Sequence, residues 1–138
     1  MSDLIITAGP FNFKARFECD RSPQTCASFE KVLPFNSQIV HVRWSGEAVW
    51  VPLGDRDFGV GYEDPTSHPS PGEIILYPGG KSETEILIAY GATSFASKAG
   101  GLAGNHFASI MDNFQNLREL GVKTLWEGAQ QISFKWAE

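Results

Sequence analysis

The segment Phe11–Leu33, FNFKARFECDRSPQTCASFEKVL, changes its hydrophobic period half-way along, and that change sets the architecture. Phe11, Phe13, Ala15 and Phe17 alternate with Asn12, Lys14, Arg16 and Glu18, the period-two pattern of a strand with one buried face. From Ser22 the pattern becomes helical. Ser22 stands at the N-cap position, Pro23 at the first helical position, and Ala27, Phe29, Val32 and Leu33 form one apolar stripe that Pro34 ends. This predicts a helix of about three turns. Upstream, Leu4–Thr7 and the Gly9-Pro10 turn complete an opening hairpin.

Downstream, Ile39–Pro52 (IVHVRWSGEAVWVP) reads as a second hairpin turning at Ser45-Gly46. A two-residue turn pairs His41 with Trp50 and Arg43 with Ala48. That register places His41, Arg43 and Trp50 on one face and Val40, Val42, Val49 and Val51 on the other. Gly54–Gly72 is a long aperiodic loop, of the kind that is functional or disordered. Strands follow at Glu73–Pro78 and Glu85–Tyr90, joined through Gly79-Gly80, Lys81 and Ser82. Gly91–Gly104 is irregular, and Phe107–Met111 reads as a strand. Asp112 caps a helix through Leu120 with Gly121 as its stop, and Ile132, Phe134 and Trp136 alternate in a closing strand. About eight strands and two helices suggest a closed antiparallel barrel with a helix at each mouth. An open α+β sandwich satisfies the same order.

With 138 residues the chain reads as one domain, with 42% hydrophobic and 20% charged residues as in ordinary globular proteins. A net charge of −5 with no basic cluster argues against nucleic acid and against an anionic membrane surface. No apolar run approaches the ~18 residues of a membrane span, and the N-terminus does not resemble a signal peptide. Cys19 and Cys26 lack metal or redox spacing and read as reduced thiols in a cytoplasm.

Phe11–Phe17 followed by Ser22-Pro23-Gln24-Thr25-Cys26-Ala27-Ser28-Phe29 resembles the opening of cyclophilins, where a strand leads into a Pro-Lys-Thr-x-x-Asn-Phe helix start. Gln24 and Ser28 replace the Lys and Asn. Over nearly its full length the chain is similar to a bacterial family of small cyclophilin-like proteins known only as a domain of unknown function. The matching segments are Arg43-Trp44-Ser45-Gly46-Glu47-Ala48, Tyr77-Pro78-Gly79-Gly80, Tyr90-Gly91, Gly104-Asn105-His106 and Trp126-Glu127-Gly128. The resemblance implies a cyclophilin-like barrel. It also makes Arg43 a loose counterpart of the arginine with which cyclophilins polarise a prolyl amide. The cyclophilin Gln-x-Gly-Asp turn and Gln-Phe pair have no match here.

Seven residues are candidates for a polar–aromatic pocket binding a small organic ligand or short peptide: His41, Arg43, Trp50, Tyr77, Tyr90, Asn105 and His106. Arg43 offers a bidentate donor to a carboxylate or amide; alternatively it stacks on Trp50 and pairs with Glu47. His41 and His106 are donors or bases, or structural hydrogen-bonding groups. Tyr77 and Tyr90 end strands, as pocket hydroxyls or as core rings with a wet end. Three scattered histidines give no metal site, and no cofactor is implied. Two other classes stay open: a prolyl isomerase using Arg43, and an oligomeric module whose exposed aromatics form a subunit interface.

Overall fold

The computed structural model describes residues 3–138. Eight strands close into an antiparallel barrel in the order β2 (Phe11–Phe17), β1 (Leu4–Ala8), β11 (Gln130–Trp136), β3 (Phe35–His41), β4 (Gly46–Pro52), β7 (Glu85–Thr93), β6 (Glu73–Tyr77) and β10 (Gly104–Ile110). The β2–β10 pairing seals it. The closed alternative therefore holds, and the open sandwich is set aside. Two short pieces, β8 (Ala96–Ser97) and β9 (Gly100–Gly101), form a small hairpin within Gly91–Gly104. Within the long loop, β5 (Pro65–Thr66) pairs with β10. No helix among the described residues is long and apolar enough to cross a membrane.

Inward-pointing Ile6, Phe13, Ile39, Val49, Val51, Ile86, Ile88 and Phe134 fill the barrel, leaving its interior a packed core. Helix α1 (Pro23–Glu30) sets Phe29 against Phe35, Phe107 and Phe134, with ring centroids 5.5, 5.1 and 5.2 Å away. Phe35 begins β3. Helix α2 (Phe114–Glu127) covers Tyr90, whose hydroxyl meets His41 at the other end of β3. The two helices thus close opposite mouths.

The Ile39–Pro52 register differs from the sequence expectation by one residue. Val40 pairs with Trp50, His41 with Val49, and Val42 N–H donates to Ala48 O, so the connection is the five residues Arg43–Glu47. Because side chains alternate, this one-residue slip exchanges faces. His41 points inward with Ile39, Val49 and Val51, whereas Trp50 points outward with Val40 and Val42. Arg43 has left the strand altogether.

Both helices also end where the sequence did not place them. Helix α1 spans 8 residues, and Ser22 makes no side-chain cap. Its N-terminus is capped instead by Glu63, whose Oε1 accepts from Gln24 N–H and Oε2 from Thr25 N–H, each at 2.8 Å. Helix α2 begins after Asn113, a left-handed residue at φ 55°, and Asp112 serves β2 by accepting from Lys14 N–H. The helix runs through Gly121 to Glu127 and stops at Gly128, at φ 95°.

Gly121 is a packing position. A Cβ there would run into the Tyr90 ring edge at Cε2 and Cδ2. Gly121→Ala gains about 1 kcal/mol of helix propensity, yet overpacking against a ring fixed by His41 costs more. We expect a net loss of about 2 kcal/mol in denaturant unfolding, and a gain in stability would refute the contact.

Candidate functional site

The seven sequence-selected residues occupy several places. Asn105 is fully buried: its Nδ2 donates to Thr25 Oγ1 (3.1 Å) and Gly61 O (2.7 Å), and its Oδ1 accepts from Glu63 N–H (2.9 Å). It ties the long loop to α1. A β-bulge between His106 and Ala108 turns Phe107 and Ala108 both into the core and sets His106 and Ser109 on one face. Arg21 can only donate, so His106 Nδ1 accepts from it at 2.7 Å, and Nε2–H donates to Ser109 Oγ at 2.7 Å. Ser109 then donates to Glu18 Oε2 at 2.6 Å. A proton on Nε2 bars His106 from acting as base to Ser109. Burial and the Arg21 charge hold this imidazole below the usual histidine range, against the opposite pull of Glu73 and Glu18.

Tyr77 is buried, its ring edge-on to Phe95 at 5.8 Å, and its Oη accepts from Lys81 N–H (2.9 Å) and Ser82 N–H (3.3 Å). It shapes the β6–β7 turn. Tyr90 lies beneath α2, with Arg118 over its ring at 5.8 Å; burial, helped by Glu47, raises its hydroxyl pKa. His41 Nδ1–H donates to Val42 O (2.8 Å), and Nε2 meets Tyr90 Oη at 2.7 Å. Both ring nitrogens are engaged.

Three of the seven meet at one cleft of about 430 Å³ on the outer face of the barrel. Trp50, with Val40 and Val42, gives it an apolar floor; His41 borders it; Arg43 stands at its rim. Arg43 stacks on Trp44 (5.9 Å to the ring centroid), not on Trp50, and has no carboxylate partner among the described residues. Glu47 is taken by Arg118 at 3.0 Å. The opposite wall is the β8–β9 hairpin, with Ala96, Ser97 and Lys98, held down by Phe95 and Leu102 on Ala48 and Leu87. Ser45 Oγ clips it by donating to Ala96 O and accepting from Ala96 N–H, both at 3.0 Å.

One cleft residue was not singled out from sequence. Glu85 opens β7 on the same outward phase as Leu87, next to Trp50, and is only 6% exposed. Among the described residues its carboxyl group has no hydrogen-bond partner. Burial, reinforced by neighbouring Glu83, pushes its pKa up to about 8. Its signal in the sequence is a charged residue at the buried phase of EILIAY. Glu83 is itself tied down, accepting from Gly54 N–H at 2.8 Å.

A larger, shallower groove of about 770 Å³ runs along α2 past Pro71, Tyr90, Phe114 and Val122. Its two cations are partnered, Arg118 with Glu47 and Lys123 with Glu127 at 2.9 Å. Trp126, 80% exposed, stands on the same helix. No group of three His, Cys, Asp or Glu among the described residues is placed to hold a metal ion, and Cys19 and Cys26 are free thiols.

Eight antiparallel strands in this order, with a helix at each mouth, define a cyclophilin-like barrel. The chain belongs to the DUF3830 family of proteins of unknown function, whose pattern matches residues 4–136. No curated protein matches the sequence. Among solved structures, it is similar to McbB in complex with tryptophan, at 18% identity and a TM-score of 0.72, covering 96% of this chain. The chain spans only 44% of McbB. It is also similar to a cyclophilin-type peptidyl-prolyl cis-trans isomerase of Cryptosporidium parvum. That structure, in the presence of the dipeptide ala-pro, gives 13% identity and a TM-score of 0.63, covering 99% of both chains. Without the dipeptide the same isomerase gives 14% and 0.62, covering 99% of this chain and 98% of that one.

Proposed function

We propose that the protein binds a small organic ligand in the outer-face cleft, with Arg43 as the group that grips an anionic or carbonyl end. The observation that carries this is a guanidinium without a carboxylate partner beside an apolar floor of Val40, Val42 and Trp50. A planar fork of donors suits a carboxylate, and Trp50 gives an aromatic body something to lie on. The ligand of McbB, tryptophan, has both features and belongs among the probes. Cytoplasmic metabolites of this type are the class to screen.

A thermal-shift series of tryptophan, phenylacetate and related carboxylates tests this, because a ligand that binds only the folded state raises the melting temperature. Arg43→Ala should weaken a carboxylate tenfold or more, roughly the value of one charge-assisted hydrogen bond, and leave the unliganded melting temperature unchanged. Equal affinity in the variant would remove Arg43 from the site. The isomerase alternative also uses Arg43, and acceleration of X-Pro isomerisation that disappears in Arg43→Ala would favour it. Binding is preferred here because the guanidinium is exposed and is held by no side-chain hydrogen bond among the described residues.

A further inference from the structure

Arg43 accounts for one end of the cleft and leaves Glu85 unused. A carboxyl group withdrawn from water normally has hydrogen-bond donors or a cation beside it, since its charge is otherwise costly to bury. Glu85 has neither among the described residues, and it faces an open cleft. The titratable and charged groups around it are Glu83 from the β6–β7 turn, Tyr77 opposite it on β6, His41 and Arg43 at the end of β3, and Lys98 from the β8–β9 hairpin. Tyr77 Oη is occupied by Lys81 N–H and Ser82 N–H, and Glu83 adds a second negative charge. Neither Arg43 nor Lys98 forms an ion pair with Glu85. The Glu85 carboxyl group therefore faces the cleft without a partner from this chain among the described residues.

We propose that the cleft takes a primary amine carrying an apolar or aromatic body, and that its ammonium group lodges against Glu85. This rests on the cleft being a ligand site and names the chemistry of its inner end. The apolar body lies on Trp50, Val40 and Val42, and Glu83 adds attraction for the same positive charge. The bond balance is simple: Glu85 COOH meets R–NH3+, the carboxylate–ammonium pair forms, and one proton leaves. Burial supports the order of events, because Glu85 holds its proton at neutral pH until a cation arrives. Ammonium N–H donors then replace the water that the carboxylate lacks.

The test is calorimetric titration of the native protein at pH 7 with 2-phenylethylamine and with its neutral counterpart 2-phenylethanol, each in phosphate and in Tris. Heats in two buffers of different ionisation enthalpy report the protons exchanged. The amine is expected to bind at least tenfold tighter than the alcohol and to release about one proton, with affinity rising close to tenfold between pH 6 and pH 7. Glu85→Gln should abolish the proton release and bring the amine down to the alcohol, whereas Glu83→Gln should keep the release. Amine binding that survives Glu85→Gln undiminished, or an alcohol that binds as well as the amine, overturns the Glu85 assignment and leaves the cleft standing. If amine, alcohol and phenylacetate all fail to bind at millimolar concentration, the cleft itself is not a ligand site. Should Glu85→Gln fail to fold, the amine-to-alcohol comparison on the native protein still decides.

Discussion

Glu85→Gln is expected to stabilise the unliganded protein by about 3 to 5 kcal/mol at pH 8.5 and to change it by about 1 kcal/mol or less at pH 4. The sign follows from where the proton sits. Unfolded, this carboxyl group ionises near 4.5; folded, burial holds the proton to about 8. Between those values the native state binds a proton that the unfolded chain has released, so raising the pH favours unfolding. The contribution of Glu85 is therefore level below about pH 4.5, falls through the interval, and is level again above about 8. Glutamine keeps the shape and carries no charge. Urea unfolding of both proteins across this range isolates the effect as a difference, because every other titrating group is common to the two. Parallel stability profiles would show that Glu85 ionises freely in the folded protein.

Asn105→Ala is expected to cost about 3 kcal/mol, because three hydrogen bonds of a fully buried side chain are lost, one of them to buried Thr25. The damage should not stay local. Asn105 holds Gly61 and Glu63, and Glu63 caps α1, so hydrogen exchange should accelerate at Gln24 and Thr25 together with the loop amides. A loss under 1 kcal/mol with α1 still protected would show that the loop is held by Phe58 and Val60 alone.

Alternation at β2 and the switch of period after it make the strand and the helix readable from the sequence, because each records a surface with only one buried side, whereas closure of the sheet rests on the β2–β10 pairing that no local pattern records. The second hairpin misleads for a definite reason. Val40 and Val42 are apolar yet point outward, since the β8–β9 hairpin covers that side too. With apolar residues on both phases, a two-residue turn and a five-residue connection satisfy the pattern equally. Turn length decides the register, and no local residue fixes it.

The candidate site was legible in part. Arg43, Trp50 and His41 all border one cleft, but His41 points inward and Trp50 outward, where the sequence pattern places them on one face. Asn105 and His106 have the residue types of a site and are spent on the loop and on a β-bulge that no motif announces. Ser22 has the chemistry of a cap, but Glu63 arrives from a distant loop and takes the work. Gly121 has the usual identity of a helix stop and serves as clearance for Tyr90. Glu85 does not stand out in the sequence because acids at strand ends are ordinarily solvated, and its burial comes from the strands on either side of it.

Strands β4 and β7 place Val49, Val51, Ile86 and Ile88 in the filled barrel, while Trp50, Glu85 and Leu87 stand on the other side of the same backbone. Odd and even positions thus answer to different demands. On the proposed reading, exchanges at Val40, Val42 or Trp50 change the lining of the cleft while the residues that fill the barrel stay as they are. A barrel arranged in this way can change its outer face one alternate residue at a time while its interior holds the shape.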